Sequence, residues 1–258
     1  MIAGFTAEEI LHEVLVAPRA ALIPLPDTQI IERPGWWQLV TPSLARGGMN
    51  EVTCTEMTDD EADATIDQTL AFYRGLDIRF RWMVPPGTKP ADLAERLERR
   101  GLQRSESLVM ACATSSAVAE SAPSITVDAV TLASVDDYTR IMAEGWGADP
   151  AALDPLHRKM LADPAGRNHL FLARHEGAPA AVGSYIALDR SAYLIGAVTL
   201  ATHRGHGLYR ALVNARMRHA AGRGLRLATS LASATTSAPI LTRLGFETVC
   251  SIGTLMNA

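Results

Sequence analysis

Ala192-Tyr193-Leu194-Ile195-Gly196-Ala197-Val198-Thr199-Leu200, running on into Ala201-Thr202-His203-Arg204-Gly205-His206-Gly207-Leu208-Tyr209, decides how this chain is read. The first nine residues are almost wholly apolar, the pattern of a central strand covered on both faces. After Gly207, Leu208, Leu212 and Ala215 share one helical face with Val213 beside them, while Arg210, Asn214, Arg216 and Arg218 populate the other. A buried strand thus passes through a two-glycine turn into an amphipathic helix. The first amides of such a helix have no intrahelical acceptor, and the helix dipole puts partial positive charge there. Gly205 and Gly207 can adopt left-handed angles and Arg204 adds a fixed charge, so the turn suits a polyanion such as a diphosphate.

Working outward, strands are predicted at Ile125 to Val130, His169 to His175 and Ala180 to Leu188, with helices at Val135 to Trp146 and Ala151 to Ala162, the second opened by Pro150. The helix Gly207 to Ala221 is followed by a strand from Leu225 to Leu231, a helix from Ser237 to Leu244 and a strand from Phe246 to Met256. The first half offers a helix from Ala7 to Val16 and strands at Thr28 to Glu32, Trp36 to Thr41 and Asn50 to Glu56. It closes with the helix Asp60 to Arg74, the strand Ile78 to Val84, the helix Pro90 to Arg100 and the strand Arg104 to Cys112. Both halves close in the same order, and Leu97-Glu98-Arg99-Arg100-Gly101-Leu102 mirrors Leu241-Thr242-Arg243-Leu244-Gly245-Phe246. This is one unit used twice. The small, polar stretch Thr114 to Ser124 reads as a linker, so the expected division is 1–113, a linker 114–124, and 125–258.

Composition narrows the function. The 258 residues are 48% hydrophobic, with a formal net charge of -4 and a pI near 6.0. No basic field is available for nucleic acid, and none is expected as a partner. Cys54, Cys112 and Cys250 lie far apart without metal-ligand spacing, so they read as free buried thiols and no metal is expected. With no leader-like start and no apolar run long enough for a bilayer, a cytoplasmic protein without a membrane partner is expected. Neither a GxxxxGK[ST] loop nor a GxGxxG with its ribose-binding acid is present, which disfavours ATP and NAD.

The stretch Val198 to Leu212, with Arg204-Gly205-His206-Gly207-Leu208, resembles the acyl-CoA motif [QR]xxGx[GA] of the GNAT superfamily of N-acyltransferases. Ile240 to Phe246, ending Leu-Gly-Phe, resembles that family's last helix and following strand. The resemblance covers roughly Ile125 to the C-terminus. Three positions depart: Tyr209 replaces the last glycine or alanine, Ala201 a common proline, and Leu241 a tyrosine that often serves as general acid. The resemblance implies an α/β fold with a mixed α+β sheet, in two GNAT-like domains that are each a mixed, mostly antiparallel sheet flanked by helices. It implies acetyl-CoA as co-substrate, with the backbone of Val198, Thr199 and Leu200 on the pantetheine arm and the amides of Arg204, Gly205, His206, Gly207, Leu208 and Tyr209 on the pyrophosphate. It further implies that the strand from Leu225 splays from its neighbour.

Aligning the halves puts Met57-Thr58-Asp59-Asp60-Glu61 in the first half's phosphate-turn position. No glycine is there, and three carboxylates would repel a diphosphate. The N-terminal half is expected to be degenerate. For acid and base work the candidates are Glu144, beside Gly145-Trp146-Gly147, and Tyr185; each also reads as structural, Glu144 as a solvated helix end and Tyr185 as a buried, hydrogen-bonded phenol. His203 and His206 read as surface residues near phosphate, and Trp36 and Trp37 as core or as lining of a substrate cleft. The expected activity is acetyl transfer from acetyl-CoA to an amine of a small molecule or a protein, with a non-catalytic acyl-CoA-binding regulatory module as the alternative; a homodimer is left open.

Overall fold

The computed structural model describes residues 1–46, 48–53, 55–116 and 122–257. Cys54 and much of the expected linker, residues 117–121, lie outside the described residues. The helices are α1 (Ala7–Leu15), α2 (Asp59–Gly75), α3 (Leu93–Arg99), α4 (Val135–Trp146), α5 (Pro150–Ala162), α6 (Leu208–Gly222) and α7 (Ala238–Arg243). The strands are β1 (Gln29–Arg33), β2 (Trp36–Val40), β3 (Glu51–Thr53), β4 (Arg81–Val84), β5 (Gln103–Ala113), β6 (Ile125–Ala129), β7 (Asn168–His175), β8 (Ala178–Ala187), β9 (Ser191–Thr199), β10 (Leu227–Ser233) and β11 (Glu247–Met256).

Local chemistry sets the helix ends. Thr6 and Glu9 form a reciprocal capping box at the start of α1. Gly147, in the left-handed region, ends α4, and the Asp149 side chain caps α5 ahead of Pro150.

Two compact units result, and their boundaries differ from the expected division at 113 and 125. One unit comprises Met1–Ile23 with Leu108–Val249, the other Pro24–Ser107 with Cys250–Ala258. In the first, α1 packs against β9 and β10, and the buried Glu13 accepts a hydrogen bond of 2.5 Å from Ser191 Oγ. The strand beside β10 there is β5, which closes the first half of the sequence. In the second, the strand beside β4 is β11, paired antiparallel from Gly253 opposite Val84 to Met256 opposite Arg81. Each half thus completes its sheet with the other half's closing strand. Backbone ladders join strands without regard to their separation in sequence, so hydrophobic period cannot reveal such an exchange.

Both sheets are mixed and mostly antiparallel. In the first unit β6/β7, β7/β8 and β8/β9 are antiparallel and β9/β10 parallel; in the second β1/β2, β2/β3 and β4/β11 are antiparallel and β3/β4 parallel. The parallel pair is in each case spanned by a long helix, α6 or α2. The first core gathers Tyr185, Leu194, Leu212, Met217 and Leu241 among others. The second gathers Trp36, Ile66, Tyr73, Phe80 and Trp82, with Tyr73 stacked on Phe80 and its hydroxyl donating to the Leu39 carbonyl. Trp36 and Trp37 are both buried, Trp36 edge-on to Trp82. Cys112 and Cys250 are free thiols, the first buried and the second half-buried. No helix among the described residues is long and apolar enough to cross a membrane.

Candidate acyl-CoA site

β9 changes character halfway along. From Ser191 to Leu194 it is buried, and its parallel pairing with β10 runs from Ser191 opposite Leu227 to Leu194 opposite Ser230. From Ile195 onward the strand is half-buried or exposed, and the pairing with β10 has ended. The reading of Ala192 to Leu200 as covered throughout therefore holds only for its first part. The opening lies where the resemblance implied a splay.

On its other edge β9 stays paired: Val198 faces Val182, Thr199 faces Ala181, and Leu200 N–H donates to the Ala180 carbonyl at 3.0 Å. Between Ser184/Ile195 and Val182/Val198 the register shifts, with Gly196 at φ +61. That is a bulge, a local kink that re-aims peptide groups. Ser184 Oγ donates to the Ile195 carbonyl there at 3.0 Å.

The turn beyond β9 is open. A short 3-10 turn at Ala201–His203 uses the amides of His203 and Arg204 on the carbonyls of Leu200 and Ala201; the next backbone bond along the chain is the helical one from Ala211 to Gly207. Leu208 opens α6 directly after Gly207, so its first turn carries amides without intrahelical acceptors. Gly205 and Gly207 have φ of +85 and +86; a β-carbon on Gly205 would touch nothing within 4 Å, and one on Gly207 only Arg210 Nη2 at 3.7 Å. Among the described residues nothing crowds the two glycines beyond Arg210, and the bare turn fits a diphosphate.

Three imidazoles gather beside the cradle, His175 lying 4.4 Å from His206 and 5.8 Å from His203 between ring centroids. Among the described residues no group of His, Cys, Asp and Glu side chains could hold a metal ion.

The corresponding place in the other unit is closed. Past β3, Glu56 N–H donates to the Gly35 carbonyl at 2.6 Å and Met57 N–H to the Lys89 carbonyl at 3.2 Å, and Glu56 pairs with Lys89 in a parallel bridge. Asp59 is committed to Arg96 at 2.6 Å. Two amides just ahead of α2 are here already used by the chain, and Asp59, Asp60 and Glu61 fill the first turn of the helix with carboxylates.

The two acid/base candidates lie in different settings. Glu144 is exposed, one residue before Gly145, which abuts Val198 on the open part of β9. Tyr185 is 0% exposed, and its hydroxyl lies 2.7 Å from His219 Nδ1 on α6. Burial pushes this phenol up to about 12 and pulls His169, stacked on it, down to about 4, with His219 and Arg223 adding to that fall. Leu241 is 0% exposed within the core.

Sequence reasoning missed one residue at this site. Arg216, assigned to the polar face of α6, is 1% exposed. The amphipathic pattern misleads because α6 lies across a sheet whose bulge leaves carbonyl groups to be satisfied from that side. Gly183, which sits against the Arg216 guanidinium, was the available signal.

Parallel strands that part, a bulge and a bare glycine turn thus lie together on one mixed sheet. Residues 132–246 match the family described as the acetyltransferase (GNAT) family. A structure of a functionally unknown conserved protein from Staphylococcus epidermidis is similar over 99% of this chain and 98% of that one, with a TM-score of 0.70 at 12% identity. A GCN5-related N-acetyltransferase from Kribbella flavida is similar over 94% and 96%, TM-score 0.63 at 19% identity. A tandem GNAT protein from the clavulanic acid biosynthesis pathway is similar over 100% and 96%, TM-score 0.56 at 14% identity. At such identities the likeness is one of fold, and it extends to the two-domain arrangement. A search of curated proteins finds no match.

Proposed function

We infer that the chain is an acetyl-CoA-dependent N-acetyltransferase whose working site lies in the unit containing α6, with the other unit a degenerate copy. The observation carrying this reading is the pairing of β9 with β10 that stops at Leu194/Ser230, upstream of a turn in which Gly205 is exposed and Gly207 half-buried, with room beside both. The diphosphate would take the amides of Arg204 to Tyr209, with Arg204 adding charge, and the pantetheine arm would take the free edge of Val198 to Leu200. The closed turn at Glu56 and Met57 supports assigning no coenzyme to the other unit.

In the reaction an uncharged amine attacks the thioester carbonyl carbon, the carbon–sulfur bond breaks, and the thiolate takes up a proton as the amine nitrogen loses one. Positioning and carbonyl polarisation carry most of the acceleration. Glu144, exposed at the end of α4 beside the open strand, is the better placed base, acting through water. Tyr185 as proton donor must share its hydroxyl with His219. The acceptor is an amine of a small molecule or a protein.

One observation favours a second reading, a module that binds acyl-CoA without turnover: Leu241 is sealed in the core where a proton-donating tyrosine would stand. Incubation with acetyl-CoA and a panel of amines, followed by free thiol, separates the two. Acceptor-dependent thiol release supports the transferase; binding without release on any amine supports the module.

A further inference from the structure

Among the described residues Arg216 is a buried cation without a carboxylate partner. Its Nε donates to the Leu212 carbonyl at 3.1 Å and its Nη1 to the Ser184 carbonyl at 2.9 Å, while Nη2 is buried with no hydrogen-bond partner. The acidic groups that act on it are two phenols, Tyr209, which also shares a side-chain hydrogen bond with it, and Tyr138, and burial keeps both uncharged. A guanidinium enclosed among apolar side chains is costly, and an orphaned buried N–H calls for a reason.

The contacts point to where that reason lies. Arg216 holds the carbonyl of Ser184, and the hydroxyl of the same Ser184 holds the carbonyl of Ile195. Ile195 opens the bulge, at the point where β10 has left β9. Glycine at 183 lets the guanidinium lie close to β8, since a β-carbon there would stand a tight 3.2 Å from Arg216 Cζ. Gly196 is as constrained, since a β-carbon on it would meet Ser184 Oγ at 3.1 Å. In a trans peptide the carbonyl and the next N–H point opposite ways. With the Ile195 carbonyl turned to Ser184 on the β8 side, the Gly196 N–H is turned to the side that β10 has vacated.

We propose that Arg216 is a positioning residue, which through Ser184 braces the Ile195–Gly196 peptide toward the thioester and whose uncompensated charge polarises the carbonyl bound there. The brace acts by geometry and the charge by its field, which dry surroundings leave largely unscreened. This rests on the coenzyme reading above.

The test needs binding rather than turnover. Calorimetry first establishes acetyl-CoA affinity, and infrared difference spectra of acetyl-CoA carrying a carbon-13 carbonyl then report polarisation of the bound thioester. In the wild-type protein the carbonyl stretch should fall below its solution value. Arg216→Met should lose most of that fall while still binding, Arg216→Lys should keep part of it, and Ser184→Ala should lose part of it with a normal melting temperature. Should Arg216→Met fail to fold, Ser184→Ala carries the test and Ser184→Thr should restore the shift. An unchanged stretch in variants that bind overturns the proposal alone; no binding by the wild-type protein overturns the coenzyme reading and this inference with it.

Discussion

Gly145 and Val198 meet so closely that no β-carbon fits between them: one placed on Gly145 would lie 2.3 Å from Val198 Cγ1 and 2.5 Å from Cγ2. The helix that carries Glu144 is thereby held hard against the open part of β9. Gly145→Ala should cost about 1–3 kcal/mol, as overpacked sites do, and weaken acetyl-CoA binding by displacing Val198. Chemical denaturation and calorimetry check both; unaltered affinity would separate Val198 from the pantetheine arm.

Gly207→Asp puts a side chain at φ +86 and a carboxylate where the diphosphate should lie. The conformational cost is about 1–2 kcal/mol, too little to unfold a domain of this size, yet CoA binding should disappear. Circular dichroism verifies folding and calorimetry the loss; binding at wild-type strength would remove the turn from the site.

In the other unit, replacing Asp59 and Asp60 with Ala should leave CoA affinity unchanged, because the neighbouring amides of Glu56 and Met57 are already bonded. Loss of the exposed Asp59–Arg96 pair should cost less than about 1 kcal/mol. A second equivalent of bound CoA in this variant would contradict the closed turn.

His157 is buried beside Thr139, its Nδ1 2.8 Å from the Thr139 hydroxyl, and burial lowers it to about 4 against a slight opposing pull from Asp154. The fold keeps this imidazole neutral, so between about pH 6.5 and 4 unfolding takes up a proton. Its contribution is complete above about 6.5 and is lost as pH falls toward 4, by at most about 3 kcal/mol. Urea midpoints measured from pH 7 to pH 4 should fall, and His157→Gln should flatten that fall; identical slopes would assign the acid sensitivity elsewhere, His169 being the next candidate.

A segment of residues 125–258 alone lacks α1 and Leu108–Ala113, which the structure places in the same compact unit. With β10 missing its β5 neighbour, that segment should show no cooperative melting transition, whereas the full chain should. A sharp transition in the short segment would show that neither element is needed.

Most elements follow from local rules. Helical period, the glycine after α4, the proline opening α5 and the apolar run into Arg204-Gly205-His206-Gly207 are each written in a few adjacent residues, and the structure returns them nearly at the expected positions. The open glycine turn belongs to this group, because positive φ and a bare helix start depend on residues 204–210 alone.

The partner of each closing strand was decided only by the fold. β5 and β11 both run from a polar, exposed start to a more apolar, buried end, and their backbone groups bond whichever edge the chain brings near, so sequence order suggested two contiguous domains where each unit borrows a strand. The fate of Arg216 was likewise undetermined, since a helical charge reads as solvated until the carbonyl groups beneath it are known. The opening after Leu194 is tertiary for the same reason: an apolar strand looks alike whether its edge is paired or has just been left by its neighbour.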